Sequence, residues 1–458
     1  MKLPRVMIAA PSSGSGKTLI TCGILQALVN RGYKTASFKC GPDYIDPLFH
    51  SRVIGTRSGN IDTFFTDRET TRYLFGREAQ EAEISVAEGV MGYFDGLGGV
   101  SERASSAEAA AVLDMPVVLV VNCRGMSRSV LPLIKGFLEF ERPQRIRGVI
   151  LNQFPPSLLE EIKTQIEGLF PIRVLGCVPK LKELVLESRH LGLVLPGEVE
   201  KLKEKLQDLA EMLEKYLDLD ALMAIAYEAP DFTFREPALP SLPHRKEGEE
   251  RIRIALAKDD AFCFTYRDNI RLLNDLGAEI IPFSPLEDRE LPDNVQGLIL
   301  SGGYPELHAE RLSRNTSMLD SINEAVRGGL PCIAECGGFL YLHKTLEGED
   351  GKSYPMAGVL DAGAFRTDRL GRFGYITLTA QKDQLLLRKG ETLRGHEFHY
   401  WESESCGTDM RAQKPVGSRG WDCVHGSESL YAGFPHLFFY SNPEAAVNFS
   451  MKCRERVC

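Results

Sequence analysis

The residues Ala10-Pro11-Ser12-Ser13-Gly14-Ser15-Gly16-Lys17-Thr18 follow an apolar run and open a helical pattern. A turn of this kind offers backbone N–H groups to a polyphosphate at the positive end of a helix. Gly14, Ser15 and Gly16 would shape that cradle, Lys17 would contact the terminal phosphates of ATP, and Thr18 would ligate Mg²⁺. The match is imperfect, because Pro11 stands where the GxxxxGK[ST] pattern has its first glycine. Glu88 closes the apolar run Ile84–Glu88, where an acid opposite a phosphate loop can bind the metal directly or through water. Asp43 and Asp46, in Gly41-Pro42-Asp43-Tyr44-Ile45-Asp46-Pro47, would share the metal or position an acceptor. Asp62 follows in Gly59-Asn60-Ile61-Asp62. Taken singly, each acid would equally serve as a turn or helix cap.

A second chemistry is written in Pro331-Cys332-Ile333-Ala334-Glu335-Cys336-Gly337-Gly338-Phe339-Leu340. An apolar strand ends at a cysteine, and two glycines lead into a helix. Such a turn exposes a nucleophile, while nearby N–H groups favour thiolate and a developing oxyanion. Cys336 is the expected nucleophile; Cys332, inside the strand, suits a buried structural thiol.

These residues need rigid elements behind them. Up to about residue 180, β-branched runs alternate with helical patterns at Arg5–Ala10, Thr35–Lys39, Ile84–Glu88, Pro116–Asn122, Ile146–Asn152 and Ile172–Pro179. That alternation predicts a mostly parallel α/β sheet. Residues 198–226 carry leucines at helical spacing and predict an amphipathic packing helix. A Pro-rich, charged stretch then breaks both periods. It divides the chain into residues 1–235, a linker 236–248, and residues 249–458. The second part predicts strands at Ile252–Ala257, Glu279–Phe283, Gly297–Leu300 and Pro331–Ala334, with helices after the first, third and fourth, and an irregular strand-rich region beyond residue 354.

The chain has 458 residues, 43% hydrophobic and 26% charged, with a net charge of −9. This composition predicts a globular protein, disfavours nonspecific nucleic-acid binding, and requires local cations to hold any anionic ligand. None of the eleven cysteines forms a CxxC pair. With no leader-like or membrane-spanning stretch, reduced thiols and a cytoplasmic location are expected. His396-Glu397-Phe398-His399 lacks the spacing of a metalloprotease helix, and on a strand its histidines should point to opposite faces.

The words SGSGKT, FKCGPDYIDP, NIDTFF, AEGVMGYFDG, ESRHLGL, LSGGYPELHAERL, AECGGFLYL, RGHEFHY and YAGFPHLFF run through the chain. Together they closely resemble the cobyrinate a,c-diamide synthase family. The resemblance implies a phosphate-loop NTPase-like, dethiobiotin-synthetase-like N-terminal domain and a class I glutamine amidotransferase-like C-terminal domain. It implies that ATP phosphorylates peripheral carboxylates of a corrin-type tetrapyrrole and that ammonia from glutamine displaces phosphate. His436 would then be the base for Cys336, and Gly302 and Gly303 would serve the oxyanion or hold glutamine. Arg189 and His190 would contact the polyanionic substrate, with Lys39, Arg103 and Arg128 as helpers, and Asn152 would read the nucleotide base. Many class I amidotransferases place a glutamate two residues after this histidine, but Phe438 stands there, which leaves a Cys/His dyad or a third member elsewhere.

Ni-sirohydrochlorin and hydrogenobyrinate remain alternative acceptors, and homo-oligomerisation is left open. A regulatory phosphate-loop ATPase with an inactive amidotransferase-like appendage is the competing class. Those switches usually carry a second lysine where this chain has Ser12.

Overall fold

The computed structural model describes residues 1–140, 143–180, 196–240 and 251–457. Contacts divide the chain into two compact units, Met1–Pro237 and Ala238–Cys458. Among the described residues, no helix is long and apolar enough to cross a membrane.

In unit 1, seven strands form one parallel sheet: β1 (Arg5–Ala9), β2 (Thr35–Cys40), β3 (Arg57–Ile61), β4 (Ile84–Glu88), β5 (Val117–Asn122), β6 (Ile146–Asn152) and β7 (Arg173–Val178), in the order β3-β2-β4-β1-β5-β6-β7. Runs such as Val117–Val121 are buried throughout, as strands covered on both faces require. The edge strand β3, Arg-Ser-Gly-Asn-Ile, is the one the sequence did not announce. The order reverses around β1, so the loops after β1 and β4 open side by side at the carboxyl ends of their strands, where such sheets bind ligands. Register sets a row of side chains there, with Glu88 opposite Ile8 and Lys39, and Lys39 opposite Asn60.

Helix α1 (Lys17–Asn30) starts at Gly16, whose φ of 91° suits glycine, and has no side-chain cap. A Cβ at Gly23 would collide with Leu213, so glycine lets α1 lie close against the helix Pro196–Tyr216. The single helix expected over 198–226 is in fact two, Pro196–Tyr216 and Leu219–Tyr227. Asp218 divides them by accepting the Ala221 N–H at 2.8 Å as an N-cap.

Unit 2 contains β8 (Ile252–Ala257), β9 (Phe262–Phe264), β10 (Ala278–Phe283), β11 (Gly297–Leu300), β12 (Gly302–Gly303) and β13 (Cys332–Glu335). Strands β10, β8, β11 and β13 lie in parallel, and Leu430–Gly433 joins β13 on its far side, also in parallel. Helices follow β8, β11 and β13. His425–Gly426 adds an antiparallel sixth strand beside Leu430–Gly433, β9 and β12 pair as a two-stranded sheet, and the other strands build a mixed sheet of four and an antiparallel sheet of five. The pairing of Glu335 with Gly433 is what carries the end of the chain to the nucleophile.

Candidate active sites

In unit 1 the sequence-predicted residues divide into a central cluster and local supports. The Thr18 hydroxyl donates to Glu88 Oε1 at 2.5 Å, and Lys39 Nζ reaches the same oxygen at 2.7 Å. Lys39 also meets Asp46 Oδ2 at 2.5 Å, so one buried ammonium bridges two buried carboxylates. Burial pushes the Glu88 carboxyl up, opposed by Lys39. Burial alone would lower the Lys39 ammonium, but Glu88, Asp46 and Asp43 raise it on balance. The other Glu88 oxygen, Oε2, is buried and takes no hydrogen bond among the described residues. A spare carboxylate oxygen beside a threonine hydroxyl is a donor set suited to a hard divalent cation.

Lys17 Nζ donates to the Ser12 carbonyl at 3.3 Å and to the Met91 carbonyl at 2.5 Å. It thereby ties the loop after β1 to the loop after β4, where Met91 takes a φ of 48°. Burial lowers the Lys17 ammonium, with Glu88 offsetting part of the effect. The Asn152 amide donates to the Ser15 carbonyl at 2.8 Å, and a Cβ at Gly16 would strike it. Its Oδ1 accepts the Gln153 N–H at 3.0 Å, so in this state Asn152 clamps the phosphate loop.

Asp43 Oδ1 accepts the Ile45 and Asp46 N–H groups at 2.8 and 3.2 Å at the start of the short helix Ile45–Phe49. Burial, then Asp46, raises its carboxyl, with Lys39 opposing. Asp62 Oδ1 accepts from Phe64 and Phe65 at 2.9 and 3.2 Å in the turn after β3. Asn60, unforeseen as a functional residue, donates to the Gly41 and Asp43 carbonyls at 3.0 and 2.7 Å and fixes that loop. Arg103 and Arg128 are exposed. Arg189 and His190 lie outside the described residues.

In unit 2, β13 ends at Cys336, which has φ 47° and ψ −102° and begins the helix Gly337–Tyr341. Its N–H donates to the Gly433 carbonyl at 2.8 Å. A Cβ at Gly338 would collide with the Leu300 carbonyl, and one at Gly337 would lie 3.0 Å from the Gly303 nitrogen. Two glycines thus allow the sharp turn and bring the Gly302–Gly303 backbone beside it. Burial pushes the Cys336 thiol up, and the carboxylates of Glu306, Glu397 and Glu335 add to this.

His436 is buried, and a Cβ at Gly302 would touch its Cε1. Its Nδ1 lies 3.6 Å from Glu335 Oε2, while Glu335 Oε1 accepts the Leu437 N–H at 3.3 Å. Glu335 therefore brings a carboxylate to the imidazole, although the position two residues after His436 is Phe438 and not an acid. Sequence reasoning missed it, although the absence of an acid at position 438 was the signal to look elsewhere. His396 stacks on His436 with centroids 4.9 Å apart, and His399 stacks on Phe434 at 3.8 Å. The strand ends at Phe398, so the alternation expected for HEFH stops before His399 and both rings lie against Phe434–His436. Among the described residues, no group of three or more His, Cys, Asp or Glu side chains could hold a metal ion.

Residues 6–194 match the family described as the CobQ/CobB/MinD/ParA nucleotide binding domain, and residues 253–443 the CobB/CobQ-like glutamine amidotransferase domain. The chain is 40% identical to the cobyrinate a,c-diamide synthase of Caldanaerobacter subterraneus over 453 residues, 98% of each chain. It is 40% identical to that of Listeria monocytogenes, over 96% of this chain and 97% of the relative. It is 38% identical to that of Picrophilus torridus, over 99% of each.

Proposed function

The chain belongs to the cobyrinate a,c-diamide synthase family, and on that premise we propose how its two sites divide an ATP- and glutamine-dependent amidation. Unit 1 activates the a and c acetate carboxylates of cobyrinate, and unit 2 supplies the nitrogen. A carboxylate is a poor acyl donor. Transfer of the terminal phosphoryl group of ATP to its oxygen gives an acyl phosphate and ADP, and ammonia then attacks the carbonyl carbon and expels phosphate. Lys17 and the N–H groups from Gly14 to Thr18 hold the phosphates. The Thr18 hydroxyl and the spare Glu88 Oε2 fit Mg²⁺, which would screen charge on the transferred group. Lys39 neutralises Glu88 and Asp46, and Asp43 and Asn60 stiffen the loop that carries Asp46. Arg189 and His190 remain proposed contacts for the substrate's other carboxylates.

In unit 2, His436 takes the Cys336 proton, and the thiolate attacks the carboxamide carbon of glutamine. Ammonia leaves, and water cleaves the γ-glutamyl thioester to glutamate. Glu335 holds the imidazole through Nδ1 and stabilises its protonated form, leaving Nε2 for the thiol. Gly302 and Gly303 line the oxyanion side. Support comes above all from the strained Cys336 turn lying with His436 and Glu335 around one pair of strands, a geometry an inert appendage has no need to hold.

The test is amidation of purified cobyrinate, read by mass as one or two exchanged hydroxyls, with glutamine or ammonia as nitrogen source. Cys336→Ser should stop glutamate release and glutamine-driven amidation while ammonia-driven amidation continues. A protein that amidates cobyrinate with neither nitrogen source would refute the proposal.

A further inference from the structure

We propose that the Glu306 carboxylate binds the α-ammonium group of the glutamine donor, so that the substrate itself brings a positive charge to the thiol site. The inference rests on unit 2 being the glutamine-hydrolysing site and names a recognition element within it. The segment Gly302–Glu306 passes along both catalytic groups: a Cβ at Gly302 would touch His436, and one at Gly337 would lie 2.8 Å from Pro305 Cδ. Both ends of this segment are anchored. Gly302 and Gly303 pair with Phe264 and Phe262, the Tyr304 N–H donates to the Ala261 carbonyl at 2.9 Å, and the Glu306 carbonyl accepts the Glu349 N–H at 3.3 Å.

Glu306 is therefore fixed in the short helix Pro305–His308, immediately beyond the residue that packs on the nucleophile turn. Of the carboxylates acting on the Cys336 thiol, Glu306 exerts the largest effect, ahead of Glu397 and of the adjacent Glu335. No cation is among the groups that act on Glu306 in the described structure; its neighbour in charge is another carboxylate, Glu349. Burial pushes its carboxyl up to about 8.

Above pH 8, where it is ionised, this carboxylate opposes thiolate formation while the site is empty. Glutamine carries its one positive charge at the far end of a short aliphatic chain from the carboxamide that reacts. An ammonium paired with Glu306 would remove the opposition as the carboxamide arrives, so donor binding and thiol activation would be coupled.

Glu306→Gln keeps the shape and removes the charge. The experiment compares glutamate release from glutamine with hydrolysis of its desamino analogue, which has hydrogen in place of the α-amino group. The wild type should prefer glutamine in kcat/KM, and Glu306→Gln should lower that preference by about 10- to 100-fold, chiefly through KM. Partial misfolding would lower both substrates together and leave the ratio unchanged, and Glu306→Asp should retain part of the preference. Without any ligand and at a common pH above 8, where the Glu306 carboxyl is ionised, iodoacetamide should alkylate Cys336 faster in Glu306→Gln than in the wild type. An unchanged substrate ratio together with unchanged alkylation would overturn the inference while glutamine hydrolysis through Cys336 stands. Failure of the wild type to release glutamate would instead remove the functional assignment on which it rests.

Discussion

Replacing Glu335 with glutamine tests whether a carboxylate one residue before the nucleophile completes the amidotransferase site. The amide oxygen can still accept the Leu437 N–H, which Glu335 Oε1 holds at 3.3 Å, so the local turn should persist. The change falls on the other oxygen, 3.6 Å from His436 Nδ1. When the imidazole takes the thiol proton it becomes a cation facing that oxygen, and a full charge pair at this distance interacts by roughly 4–5 kcal/mol at an effective dielectric constant of about 20. The spacing is longer than a hydrogen bond, and neighbouring dipoles recover part of the lost interaction, leaving a net loss of about 2–3 kcal/mol. That corresponds to a fall of roughly 10²-fold in kcat for glutamate release. A glutamine NH₂ facing Nδ1 would also favour the proton on Nε2, the wrong tautomer for a base acting there. Steady-state glutamate release should show the fall mainly in kcat, and Glu335→Asp should restore part of it. If Glu335→Gln hydrolyses glutamine within about 2-fold of the wild type, the carboxylate does not orient the imidazole and the mechanistic chain from Phe438 to Glu335 is wrong.

Three further outcomes follow from the packing. Gly338→Ala would press a methyl group into the Leu300 backbone; at a cost of about 2–3 kcal/mol it should lower the Tm of the unit 2 transition by roughly 5–10 °C in calorimetry, and an unchanged Tm would show that the backbone yields freely. Buried His50 has its imidazole lowered from 6.5 to about 4 by burial, so as pH falls from 6.5 to 4 the unfolded chain takes up a proton that the folded unit refuses. Unit 1 should lose about 3 kcal/mol across that window relative to His50→Gln, as read from urea midpoints; parallel pH profiles for the two proteins would contradict this. Lys39→Met removes the ammonium that bridges Glu88 and Asp46 and should destabilise unit 1 by about 3–5 kcal/mol and abolish amidation from either nitrogen source; wild-type stability and turnover would refute the bridging role.

The strands that carry continuous β-branched runs were legible because burial on both faces demands such sequences, as in Val117–Asn122 and Ile146–Asn152. β3 escaped because an edge strand tolerates Arg, Ser, Gly and Asn, and its pairing with β2 is visible only in three dimensions. The break at Asp218 was hidden inside a continuous leucine pattern, since an N-cap competes with helix continuation by a single side-chain hydrogen bond. Thr18 and Glu88 lie 70 positions apart and meet through the adjacency of β1 and β4, which the motif spacing alone does not encode. Glu335 was harder still. Beside a cysteine it reads as strand-end polarity, and only the parallel pairing with Leu430–Gly433 brings the imidazole to it.

The left-handed backbone of Cys336 sets function against folding at a single position. A non-glycine residue held there costs of order 1–3 kcal/mol, which the surrounding strands must overcome each time unit 2 folds. Glycine would relieve that strain. Unit 2 is thus a fold that would be more durable without its own nucleophile, and its thermal stability and its capacity to release ammonia cannot both be raised by changing that residue.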